Sequence, residues 1–240
     1  MLDGRTSTKA AYVSGNRLLD ALPLNDRVDL EADLEIIALA AHKSTQSAGS
    51  VMGHVDFPID AVLSVVATLE NGDSVEVGTV GSEGFVESDA ALGSGLSQRT
   101  SFCQVGGMVG RMTIGRFEAR MTSGPFARLM RRNVRAALFS AQQFAACNVK
   151  HSILQRCARW LSMTDDRVGN ADFTLTHEFL AIMLGVRRAS VSEAADALQT
   201  MGAITYRRGA VTIVNRKLLN TTACECYEAC KDAFAVALQV

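Results

Sequence analysis

The sequence predicts an α+β chain in three parts: an antiparallel β-barrel or sandwich, one long helix, and two short helices followed by a β-hairpin. Three observations predict it. β-rich runs flank Asn71-Gly72. The stretch after Pro125 runs to Met163 without glycine or internal proline. Two helical periods near the C-terminus are parted by Leu184-Gly185-Val186.

The 240 residues are 48% apolar and 20% charged, enough for two modest cores, and the net charge is −1. Any attraction to a polyanion must therefore be local. The sequence has no apolar run of transmembrane length and its N-terminus has no secretory signal, so the expectation is a cytoplasmic protein with no membrane partner. The six cysteines are expected to be free thiols. "CECYEAC" spaces three of them as C-x-C-x3-C, unlike a zinc finger. They are read as small, half-buried residues on a C-terminal helix. The four histidines are scattered and no metal is assigned.

Residues 14–40 read as helical, with apolar positions at Leu18, Leu22, Leu30, Leu34 and Ile37 and a break at Pro23. Residues 50–115 read as a compact antiparallel barrel or sandwich. Asn71-Gly72 marks a tight hairpin, and "GSEGFVESDAALGSG" marks a loop. Pro125 fits the first turn of a helix of about 25 residues, with a bend near His151 and a second helix beyond. Phe126, Leu129, Asn133, Ala137, Ser140, Phe144 and Cys147 form its stripe. That stripe can bury against the chain's own barrel or against a second copy. The second copy is favoured, because Ala137, Ser140 and Ala141 would let two backbones approach.

The last third is the most specific. Thr176 is an N-cap with Glu178 in the first turn. Leu180, Met183 and Leu184 face inward, and Ala181 is small where helices cross. Gly185 takes the left-handed corner and Val186 plugs it. Val191, Ala194 and Leu198 fill the inner face of the next helix. This is a helix-turn-helix. Gly202 ends it, and "AITYRRGAVTIV" forms a hairpin wing tipped by Arg207, Arg208 and Gly209.

Two arginines at the front of a helix oppose its dipole, and a docked polyanion offsets that cost. From Arg187 to Lys217 six basic residues face two acids. A helix entering a major groove reaches base edges with its first residues while a wing lies along the backbone. Double-stranded DNA is therefore the expected partner. Arg188 and Glu193 are assigned to bases, and Arg187 to a base or a phosphate. Ser190 and Thr176 are assigned to phosphates, and Arg207 and Arg208 to the backbone.

Leu175–Ile213 resembles the Crp/Fnr family of bacterial regulators. It looks most like a subgroup reading LTxEFLAxMLGVRRxSV and ending in CECY, here Cys224–Tyr227. The resemblance implies a transcription regulator that is a homodimer joined by the long helix and reads a palindromic operator with RNA polymerase as a partner. It also implies an eight-stranded jelly-roll sensor like a cyclic-nucleotide-binding domain. The expected boundaries are a sensor over 1–124, a dimerisation helix over 125–150 and a winged helix-turn-helix over 151–240. Family members that bind cyclic AMP hold its ribose with a glycine and a glutamate, and its phosphate with an Arg-Ser/Thr pair. The matching residues here are Glu87, Arg99 and Thr100, but Val86 stands at the glycine and the spacing is longer. The cysteine cluster of oxygen-sensing relatives is missing, since the first cysteine is Cys103.

The competing reading is a sensory or protein-interaction module with a degenerate winged helix, which would not need four arginines at two points. An enzyme is not expected: "GTVGSEG" lacks the Lys-Ser/Thr of a phosphate loop, and no GxSxG or HExxH occurs.

Overall fold

The computed structural model describes residues 15–93, 95–169, 173–207 and 209–239. Short helices α1 (Arg17–Asp20) and α2 (Leu24–Leu30) lead into strands β1 (Glu35–Leu39), β2 (Ser44–Gln46), β3 (His54–Pro58), β4 (Val62–Thr68), β5 (Ser74–Val80), β6 (Thr100–Val105) and β7 (Gly107–Thr113). All pair antiparallel, in two sheets ordered β1-β7-β3 and β2-β6-β4-β5. The sandwich thus begins at residue 35, earlier than the sequence reading, which continued a helix to residue 40. Leu30, Leu34 and Ile37 do fit a helical spacing. The adjacent β-branched Ile36 and Ile37 instead pair with β7, opposite Gly110 and Val109.

The β4–β5 hairpin forms as expected, with a longer turn. Gly72 alone is left-handed (φ 88°), and its N–H donates to the Leu69 carbonyl. Asn71 accepts from the Asp73 N–H instead of occupying a left-handed position itself.

Helix α3 (Ile114–Met121), which the sequence reading missed, turns the chain into α4 (Gly124–Lys150). Phe57, Phe85, Phe117 and Phe126 pack together at 5.6–6.5 Å between ring centres, Phe57 stacked on Phe85 and Phe126 edge-on to Phe57 and Phe117, fastening α3 and α4 to the strands. Each such pair adds about 0.5–1.5 kcal/mol beyond its burial. Phe126, Leu129, Asn133, Ser140 and Cys147 of the expected stripe are buried inside this chain. Ser140 is therefore not open to a second copy, and of the three small residues only Ala141 is exposed. The outward face of α4 carries Leu138, Ala141, Ala145 and Val149 instead.

His151 ends α4. Ser152 and Gln155 then form a capping box that starts α5 (Ile153–Val168). Ten consecutive residues, Arg156–Asp165, are buried. One side of α5 meets the sandwich: Trp160 Nε1 donates to Glu76 Oε2 at 2.7 Å, and Arg167 Nη2 lies 2.6 Å from Glu83 Oε1. The other side carries β8 (Phe173–Thr174), α6 (His177–Leu184), α7 (Arg188–Thr200), β9 (Ile204–Arg207), β10 (Ala210–Ile213), α8 (Arg216–Thr222) and α9 (Cys226–Leu238). Val66 and Phe102 of the sandwich belong to the same apolar cluster as Trp160, Leu180, Val191 and Leu198. Among the described residues no helix is long and apolar enough to cross a membrane.

Glu76 is the costly member of the α5 contact. Its Oε1 is buried, and burial holds the carboxyl above its usual range. A carboxyl raised by folding stabilises the fold when protonated, and that contribution is lost as pH climbs through the folded pKa. A Glu76→Gln variant keeps the acceptor for Trp160 and cannot ionise. We expect its stability to fall less than the parent's from mildly acid to neutral pH, as read by urea unfolding. Parallel curves would refute this account.

Candidate nucleic-acid interface

The corner between α6 and α7 is built from a left-handed glycine and two crossed backbone bonds. Thr176 caps α6 by accepting from the Phe179 N–H at 3.1 Å. At the other end Gly185 sits at φ 62°. Its N–H donates to the Ile182 carbonyl, and the Val186 N–H donates to the Ala181 carbonyl at 3.0 Å. That pair of bonds satisfies the carbonyls at the end of α6 and turns the chain sharply. The same geometry recurs after α7, where Gly202 and Ala203 donate to Gln199 and Leu198.

Helix α7 then starts without a side-chain cap. Arg187 occupies the cap position, and among the described residues no side-chain cap hydrogen bond is made there. Arg187, Arg188 and Glu193 are exposed, and Ser190 is half-buried. Arg188 approaches one acid, Glu178, at 3.9 Å, with both side chains about 70% exposed. Such a pair is worth little and yields readily to a better anion. Val191, Ala194, Ala195 and Leu198 form the buried face of α7; Glu193 lies on the opposite side, while Arg187 and Arg188 are exposed because they stand ahead of the first buried residue, at the open end of the helix.

The wing forms as expected. β9 and β10 pair antiparallel with Arg207 opposite Ala210, and β8 adds a third strand beside β10. Arg207 is exposed at the tip. Arg208 lies outside the described residues. Arg216, counted with the basic cluster in the sequence reading, is spent inside the fold. It pairs with Asp165 and Asp166 and donates to Tyr227 Oη at 2.7 Å.

The sequence reading missed the residues that lock wing to helix. His177 Nδ1 lies 2.9 Å from Ser192 Oγ on α7, and its ring packs 4.5 Å from the Tyr206 ring on β9. Tyr206 Oη donates to the Leu175 carbonyl, and Gln199 Oε1 accepts from the Tyr206 N–H. No spacing rule links these positions; only the packing does.

The sandwich reaches this unit directly. Phe179 packs edge-on to both His42 and Phe102, each at 6.0 Å. The β4–β5 turn borders a groove that also holds Glu178, Arg187 and Arg188, with Asp73 on its far wall.

The other expected cleft is present in part. Glu87 and Arg99 line a cleft of about 250 Å³ together with Asp89 and Ser97. Glu87 is held left-handed at φ 63° and accepts from Ser97 Oγ (2.8 Å) and Ser101 Oγ (3.0 Å), while burial raises its pKa. Arg99 is exposed and donates to the Gln98 carbonyl. Thr100 turns away from this cleft, and its Oγ1 accepts from the Ala48 N–H.

Residues 155–222 match the family model of the Crp-like helix-turn-helix domain. Among curated proteins none matches the chain. Among solved structures, similarity extends over most of the chain. A protein placed in the Crp/Fnr family of transcriptional regulators, from Eubacterium rectale, superposes with a TM-score of 0.66 at 15% identity, covering 85% of this chain and 96% of that one. A CRP-family transcriptional regulator of Thermus thermophilus gives 0.66 at 19% identity, covering 78% and 96%. FixK2 of Bradyrhizobium japonicum gives 0.65 at 15%, covering 80% and 98%. At these identities the likeness establishes the fold: an antiparallel sandwich, a long helix and a winged helix-turn-helix in Crp/Fnr order.

The Gly185 corner sets where α7 points. A Cβ added there would sit 3.0 Å from Val75 Cγ2 in a backbone region that side chains rarely adopt. We expect Gly185→Ala to cost about 1–2 kcal/mol from the left-handed backbone alone, plus the crowding. Adding Val75→Ala should recover only the crowding. Thermal unfolding of both variants reads this directly, and an unchanged Tm for Gly185→Ala would contradict it.

Proposed function

We propose that the chain is a Crp/Fnr-family transcription regulator that binds double-stranded DNA through α7 and the wing. The observation that carries this reading is the front of α7: exposed, without a side-chain cap, and bearing Arg187 and Arg188 with one weak acidic neighbour. An arrangement that its own helix dipole disfavours is offset by phosphates and guanine acceptors. Arg188 and Glu193 read bases, and Arg187 reads a base or meets a phosphate. Ser190, Thr176, Arg207 and Arg208 contact the backbone. Thr176 would do so while its hydroxyl oxygen caps α6.

The working unit is a homodimer. The outward face of α4, with Leu138, Ala141, Ala145 and Val149, supports that reading, since residues at this spacing share one side of a helix. Two recognition helices related by a two-fold axis read a palindrome with half-sites about 34 Å apart. The three working parts are residues 1–124, 125–150 and 151–240, and the protein acts in the cytoplasm with RNA polymerase as a partner. An effector would enter the cleft at Glu87 and Arg99, where Arg99 supplies charge for a phosphate such as that of a cyclic nucleotide. It would act by binding two arrangements of the helices with different affinity.

Selection of bound sequences from random DNA, with and without cyclic nucleotides, tests specificity, symmetry and effector together. On the selected operator, Arg188→Ala is expected to cost about 1–3 kcal/mol and to relax preference at one base pair. Arg207→Ala should weaken all sequences alike and lower the salt slope by about one. A flat salt response of the parent would favour a protein-binding wing instead.

For the dimer, Leu138→Glu is expected to shift the protein to monomer in sedimentation. It should also lower operator affinity without altering the melting of the winged unit. A dimer of unchanged stability would place the interface elsewhere.

A further inference from the structure

Four side chains unused by the DNA-facing reading meet at the end of α4. Cys147 lies on its last turn and His151 caps it. Cys224 lies between α8 and α9, and Cys226 opens α9. Their ligand atoms lie within 4.8 Å of one another. Cys147 Sγ is 3.5 Å from Cys224 Sγ, and Cys226 Sγ is 3.6 Å from His151 Nδ1. A tetrahedral zinc ion with ordinary Zn–S and Zn–N bonds sets two sulfurs about 3.8 Å apart and a sulfur and a nitrogen about 3.6 Å apart. The protein already holds the four atoms near those separations.

The surroundings fit a metal as well. The remaining ring nitrogen of His151, Nε2, lies 3.2 Å from Glu225 Oε1. This carboxylate–histidine relay fixes the ring and raises its basicity as a ligand. Gln143 Nε2 donates to Cys226 Sγ at 3.2 Å. All three cysteines are buried.

Charge gives a separate argument. Three thiolates and a neutral imidazole around a dication carry a net charge of −1. Arg156 and Arg159 are buried beside the cluster, and among the described residues neither has an ion-pair partner; the Nε atom of each lacks a hydrogen bond. A buried cation without a counter-charge is costly. An anionic thiolate centre supplies that counter-charge.

We propose that Cys147, His151, Cys224 and Cys226 bind one zinc ion per chain as a closed, four-coordinate structural site. The ion would pin the bend between α4 and α5 to the start of the C-terminal helix. Three cysteines and a histidine leave no open position for a substrate, so the role is to hold geometry. Sequence alone hid the site, because its halves, C-x3-H and C-x-C, lie more than seventy residues apart.

The test uses full-length protein kept under reductant, stripped with a chelator, checked for fold by circular dichroism and titrated with Co²⁺ alone. We expect one equivalent to bind. It should give the intense visible bands of tetrahedral cobalt and near-ultraviolet thiolate charge transfer, and one equivalent of Zn²⁺ should bleach both. Cys226→Ser should lose these bands, whereas Cys103→Ser, altered in the sandwich, should keep them. Glu225→Ala, an exposed change that leaves the four ligands in place, should weaken cobalt about 10–100-fold. Substoichiometric uptake by the folded, reduced protein would overturn the proposal. So would a tetrahedral spectrum that survives in Cys226→Ser, or a Cys147–Cys224 disulfide recovered in place of bound metal.

Discussion

A helix with no free face organises this molecule. Over Arg156–Asp165 helix α5 has sandwich on one side and the helix-turn-helix unit on the other. Burying a helix all round makes each polar group along it costly unless it finds a partner. Trp160 finds Glu76, Arg167 finds Glu83, Ser162 finds Asn220, and Asp165 finds Arg216. Those partners come from β5, the connection between β5 and β6, and α8. The helix therefore joins both halves of the chain, and neither half can shift without disturbing it.

That constraint gives the sandwich a physical route to the arginines. Phe179 on the first helix of the motif sits between His42 and Phe102 of the sandwich, and Val75 lines the same groove as the Gly185 corner. A rearrangement of the β4–β5 hairpin changes the surroundings of Gly185, one residue from Val186 and two from Arg187, and one of the loop carrying His42 changes the packing of Phe179 on the helix before it. Aromatic contacts worth about 0.5–1.5 kcal/mol each are small enough to be exchanged between arrangements and large enough to bias them.

The bend at His151 is the second place where the halves are joined. It stands between α4, whose outward face carries Leu138, Ala141, Ala145 and Val149, and α5. The Cys147, Cys224 and Cys226 thiols bring the C-terminal segment to that bend. A link there would act on the angle between the two helices, independently of the sandwich contacts around Trp160 and Phe179.

The sequence by itself determined the elements whose signals are local. Glycine at a left-handed corner, a threonine cap, proline at a helix start and β-rich runs around Asn71-Gly72 each act within a few residues. The helix-turn-helix, the wing, the long helix and the hairpin were legible for that reason. The tertiary structure decided everything that depends on partners far along the chain. It turned Ile36 and Ile37 into a strand, because β7 was there to pair with them. It drew Phe126 and Leu129 of the α4 stripe inward to Phe85 and Phe117, and Cys147 to Cys224, and left a different face outside. It took Arg216 out of the basic surface by giving it two aspartates, and it brought His177 against Tyr206. It also gathered Cys147, His151, Cys224 and Cys226. A side chain's role there is set by which distant surface it meets, and composition and spacing carry no record of that meeting.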